Sequence, residues 1–129
     1  MLRAPRTWVA AMLVVAVCGG TAPGAHAADG SLMVIVKFHP TPGREDELKK
    51  RLVDLSAFTE RANPGVTYRV YRSTTEPTVF LLYETFPARA AWEDQAAKVF
   101  PAFQKVHGPV PAGIVTRPPE PERFVPVGD

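Results

Sequence analysis

Cysteine is nearly absent from this sequence of 129 residues, and the single one, Cys18, falls within the first 27. Past that stretch there is no disulfide and no thiol chemistry, so stability must come from packing. Histidine is scarce: only His39 and His107 follow the leader, and no ligand pair stands at useful helical spacing for a metal. No glycine-rich phosphate loop, nucleophile motif or internal repeat occurs.

An excess of charge is missing too. "MLRAPR" is a basic n-region, "WVAAMLVVAVC" an apolar run too short for a comfortable membrane span, and "AHA" at 25–27 an A-x-A cleavage site, so residues 1–27 read as a signal peptide cut after Ala27. A lipoprotein anchored at Cys18 fits less well, because Val17 stands where lipid attachment takes a small residue. Cleavage removes Arg3 and Arg6 from fifteen basic residues, leaving thirteen against thirteen acidic ones. That balance gives no electrostatic argument for nucleic acid or an anionic membrane. The expected product is secreted or periplasmic, without membrane attachment after cleavage.

What remains is about 100 residues, enough for one domain over 28–117 and a proline-rich tail over 118–129 that lies extended or disordered. "LMVIVKFH" (32–39) alternates as a strand, with Leu32, Val34, Val36 and Phe38 on one face. A helix over 42–62 follows, capped by Thr41 with Pro42 at its first position, its apolar stripe running through Leu48, Leu52, Leu55 and Phe58 or Thr59. Asp46 with Lys50 and Glu47 with Arg51 make its expected surface pairs. "NPG" at 63–65 stops it, and "VTYRVYR" (66–72) and "VFLLYETF" (78–86) are strands. A second helix runs over 88–106, with Trp92, Ala96, Val99, Phe103 and Val106 in one stripe and a kink or break near residue 100 at Pro101. "AGIVTR" (112–117) is the expected last strand.

The order β-α-β-β-α-β is the ferredoxin-like pattern, an α+β fold with an antiparallel sheet and both helices on one face. The central strands are apolar on both faces, and the chain has no element left to cover the second one. A homodimer with two sheets packed face to face is the simplest cover.

The stretches "MVIVKFHPTPGREDELKKRL", "NPGVTYRVYRS", "FLLYETF" and "AAWED" resemble the antibiotic biosynthesis monooxygenase domain, including its quinol-monooxygenase-like members, over about 32–110. Pro64, Gly65, Tyr68 and Glu84 anchor the resemblance. It implies a dimeric α+β barrel with a pocket between sheet and helices, oxidising a small aromatic substrate (a phenol, anthrone or quinol) with dioxygen and no cofactor. The substrate is its own reductant; the protein binds the ring, favours its deprotonation and shields radicals from water. The sequence departs from the family where relatives often carry histidines, with Gln95 and Phe100. The heme-degrading branch is disfavoured, because Gln104 falls at its ligand position and the first strand has no asparagine.

The candidate catalytic residues are Glu84 as a base, Trp92 as a stacking surface, Tyr68 and His107. Tyr83, Gln95 and Phe103 are candidates for substrate binding. Each has a plainer reading: an ion-paired carboxylate for Glu84, core packing for Trp92, Tyr68, Tyr83 and Phe103, solvent exposure for Gln95, and a helix-end cap for His107. The rival function is a non-catalytic dimeric barrel that binds a small apolar molecule, with heme binding through His107 a distant third.

Overall fold

The computed structural model describes residues 30–128; the expected signal peptide, with Cys18, lies outside them. Four strands, Leu32–Phe38 (β1), Thr67–Arg72 (β2), Phe80–Phe86 (β3) and Glu120–Phe124 (β4), form one sheet in the order β2-β3-β1-β4, every neighbour antiparallel. Helices Glu45–Ala62 (α1), Arg89–Asp94 (α2) and Phe100–His107 (α3) pack on one face of it. This is the ferredoxin-like α+β arrangement that the order of elements predicts.

Alternation places the side chains. Val34, Val36 and Phe38 of β1 and Phe80, Leu82 and Phe86 of β3 are buried under the helices, because period-2 side chains share one face. From above, Leu48, Leu52, Leu55 and Thr59 of α1 close on them at helical spacing. Glu84 falls in the same inward row of β3, which makes it a carboxyl inside the core.

The first helix starts at Glu45, not at residue 42. Thr41 is not its cap: its hydroxyl donates to the Gly113 carbonyl and its N–H to the Ile114 carbonyl at 2.9 Å. The intervening turn leads through Gly43 at φ 85°, a left-handed geometry that favours glycine. The expected surface pairs are exchanged as well. Glu47 binds Arg44 at 2.8 Å, and Lys50 binds Asp54 at 2.7 Å.

The second helical region is continuous, but its hydrogen bonding widens. Gln95–Val99 form a π turn between α2 and α3, with the Phe100 N–H donating to the Gln95 carbonyl five residues back. Pro101 follows at once and has no N–H to give, so the strain expected near residue 100 is taken up by a wider turn rather than a break. The extra residue advances the helix phase, and Val106, expected in the apolar stripe, is 70% exposed.

The last strand is not 112–117. Ile114 and Val115 are buried, but the segment makes only the single bridge Pro40–Val115 before the chain turns. The strand that pairs with β1 is Glu120–Phe124, within the segment expected as an extended or disordered tail. Pro121 is accommodated there because an edge strand need not donate outward.

Candidate functional site

One cross-strand row sets up the site. Tyr68 on β2 stands opposite Glu84 on β3, which stands opposite Val34 on β1, which stands opposite Arg123 on β4. All of this row faces the helices, and Tyr68 and Glu84 are 2% and 5% exposed. The two share a hydrogen bond. Burial raises the Glu84 carboxyl to a pKa of about 8, against a smaller stabilising effect of that bond on its charge. Burial, and then the nearby Glu84 charge, push the Tyr68 phenol well above its usual range.

Gln95 comes down on this pair from the π turn and is itself buried. Its Nε2 donates to the Thr59 hydroxyl of α1 at 2.9 Å, and a hydrogen bond to Tyr68 opposes the rise in that phenol's pKa. Its Oε1 accepts nothing, although no water reaches it. A carbonyl oxygen kept buried and unpaired costs about 1–3 kcal/mol.

These groups border a cavity of about 170 Å³ between the sheet and the helices. Its floor is Val34, Val36 and Phe38 of β1, and its roof includes Trp92, Ala96, Phe100 and Pro101 around the π turn. Leu48, Leu52 and Leu55 of α1 close one side, and Ile114, Val115, Pro119 and Pro121 of the C-terminal segment close another. Trp92 is held from outside by the Arg123 guanidinium, 5.7 Å from its ring centre. The cavity is thus apolar over most of its wall, with a carboxyl, a phenol and an amide concentrated at one place.

Of the residues expected at a site, Tyr68, Glu84, Trp92 and Gln95 line this cavity together. Three do not. Tyr83 lies on the opposite face of the sheet, edge-on to Tyr71 at 6.4 Å, because its position in β3 is one residue out of step with Glu84. Phe103 is wholly buried in the core, packed against Phe58 at 5.7 Å. His107 stacks on the far side of Phe103 at 4.4 Å and borders a separate hollow with Lys50, Asp54 and Pro111. It therefore has no route to a molecule in the cavity, either as a base or as a heme ligand. Glu84 has no arginine partner either; its neighbour is Tyr68.

Sequence reasoning missed Arg51, which lines the cavity instead of pairing with Glu47, and Arg123, which lay in the supposed tail. Thr59 was legible as a stripe position but not as the partner of Gln95. Among the described residues, no three His, Cys, Asp or Glu side chains gather where a metal could sit.

A family model described as antibiotic biosynthesis monooxygenase matches residues 31–107. Among solved structures, the chain is similar to a Caulobacter crescentus protein assigned as an antibiotic biosynthesis monooxygenase, with 24% identity over 78% of this chain and 92% of that one and a TM-score of 0.63. It is also similar to Rv0793 from Mycobacterium tuberculosis (23% identity, 77% and 97% covered, TM-score 0.61) and to SO0527 from Shewanella oneidensis (24%, 74% and 90%, 0.62). At these identities the likeness concerns the fold. No curated protein matches the chain.

Proposed function

We propose that this protein, which belongs to the antibiotic biosynthesis monooxygenase family, oxidises a phenolic or quinol-like aromatic with dioxygen in the cavity between its sheet and helices. The observation that carries this reading is the buried Glu84 carboxyl, opposite Tyr68, at one place in an otherwise apolar cavity. A phenolic hydroxyl in the cavity meets that carboxyl.

Glu84 has the acidity for proton removal. With a pKa of about 8, only the ionised minority of Glu84 takes a proton near neutrality, but its basicity lies between an ordinary carboxylate and a phenol near 10, so proton exchange with a phenol is shallow in either direction. Tyr68 orients the carboxyl through their shared hydrogen bond, and Trp92 offers a face to the ring. The phenolate passes one electron to dioxygen, and the ring radical and superoxide combine to form a carbon–oxygen bond. The oxygen–oxygen bond then breaks. For a quinol, one oxygen atom stays on the ring, the other leaves as water, and the product is a hydroxyquinone. The substrate supplies all four electrons. The apolar wall keeps bulk water from the radical pair.

Two further readings go with this one. A homodimer would cover the outer sheet face, where Met33, Ile35, Leu81 and Tyr83 are only half-buried and Tyr71 is 53% exposed. The leader read from the sequence would place the enzyme outside the cytoplasm.

The test is oxygen uptake by chelator-treated protein over a panel of hydroquinones, phenols and anthrone. Uptake is expected, and Glu84→Gln should lower it by at least about tenfold. Binding across the panel with no uptake would instead support a ligand-binding barrel.

A further inference from the structure

Arg51 is a cation without a carboxylate. It projects from α1 between the main cavity and the hollow that holds His107, bordering both. Its Nη2 donates to the Gly108 carbonyl at 2.8 Å, and its guanidinium lies over the Phe103 ring at 5.1 Å. No salt bridge to it forms among the described residues. The two carboxylates of the hollow are engaged elsewhere, Glu47 by Arg44 and Asp54 by Lys50. Burial draws the Arg51 pKa down, with the more distant Asp54 charge a partial offset. A part-buried guanidinium with most of its five donors unspent, bordering an apolar cavity, has them available to an anion there.

The position of Arg51 relative to Glu84 gives that anion a place on the ligand. Gln95 is tied to Thr59 of α1, and Arg51 lies eight residues before Thr59, about 12 Å along the helix axis. Gln104 lines the cavity from α3, nine residues after Gln95. The cavity therefore has one polar end at Glu84, Tyr68 and Gln95 and a second at Arg51 and Gln104, with apolar wall between. Its size restricts what lies between them. A cavity of about 150 Å³ holds one benzene, and this one measures about 170 Å³, which leaves no room for three fused rings.

We infer that the cavity takes a single-ring phenol bearing a carboxylate on a side chain of two or three carbons, with its hydroxyl at Glu84 and its carboxylate at Arg51 and Gln104. The inference rests on the cavity being the oxygenase site and narrows its substrate from aromatics in general to hydroxyaryl acids. A planar guanidinium suits a carboxylate through paired N–H donors.

Calorimetry under argon, on the full protein, separates binding from turnover. The probes are 3-(2,5-dihydroxyphenyl)propionic acid, its methyl ester, hydroquinone and anthrone. The acid should bind at least about tenfold tighter than its ester, and anthrone should give no heat of binding. Arg51→Met should erase the preference for acid over ester, Arg51→Lys should restore part of it, and thermal melts would show both variants folded. Equal binding of acid and ester, a preference that survives in Arg51→Met, or anthrone as the tightest ligand would overturn the inference. Admitting air distinguishes the two readings. Oxygen uptake with hydroquinone but no acid preference sinks the ligand class and leaves the oxygenase. Acid preference without uptake of oxygen sinks the oxygenase and leaves the ligand class.

Discussion

Tyr68 and Glu84 face each other across the β2–β3 ladder, so a phenol and a carboxyl share one hydrogen bond where water barely reaches. Burial outweighs that bond and stores the carboxyl in its protonated form, a condition with a measurable cost.

That cost appears as a pH dependence of stability. Glu84 ionises at an ordinary value of 4.5 in the unfolded chain and at about 8 in the folded one. Below 4.5 both states hold the proton, and the contribution is fully present. Between 4.5 and about 8 unfolding releases the proton, so stability falls as pH rises, by on the order of a few kcal/mol in total. Glu84→Gln should flatten this slope. Melting curves between pH 4.5 and 8.5 check it, and parallel slopes for the two proteins would refute the buried-acid account.

Gln95→Leu keeps much of the volume but removes both amide functions. It loses the bond to Thr59 and also the unpaired Oε1, so stability should change by no more than about 1 kcal/mol. Affinity for hydroquinone should drop by about threefold, because Tyr68, which positions Glu84, loses a partner. Chemical denaturation and ligand titration read the two effects separately. A variant much less stable with unchanged affinity would make Gln95 a structural residue only.

His107 should be dispensable for turnover. It stacks on Phe103 and lies edge-on to Phe58, away from the cavity. His107→Ala is expected to cost about 1 kcal/mol of stability through lost ring contacts and to leave steady-state oxygen uptake within a factor of about two. A large fall in rate at full folding would show that the hollow communicates with the reaction.

The uncovered sheet face supplies a test of assembly. Ile35 and Tyr83 are direct partners across β1 and β3 on that face. Ile35→Asp would put a charge at its centre and should convert a dimer to a monomer in sedimentation at micromolar concentration. A wild-type protein that already sediments as a monomer would remove the dimer.

How much of this could be read from the chain depends on which forces left a trace in it. Strands β1 to β3 and the buried stripe of α1 were legible because one-sided burial imposes a period of two or 3.6 on the apolar residues. β4 was not, since all five of its residues are exposed and it contains proline; nothing apolar marks an edge strand held by backbone pairing. Ile114 and Val115 misled in the opposite sense, being buried by packing without joining the sheet. In the site, Tyr68 and Glu84 followed from strand alternation, and Trp92 and Gln95 from helix position. Phe103 was drawn in by a helix phase that the π turn then shifted, and His107 by its place at the helix end. Arg51 was hidden because spacing offers a long side chain a partner without fixing its direction, and Glu47 turned to Arg44.

The C-terminal segment has a further consequence. The family match ends at residue 107, while Val110, Ile114, Val115, Pro119 and Pro121 beyond it still form cavity wall. One side of the cavity is thus encoded outside the stretch that carries Tyr68 and Glu84. Exchanging the last twenty or so residues would retailor the mould around the ligand and leave the acid–base pair untouched, which makes this segment the natural handle for redirecting the protein to a new molecule.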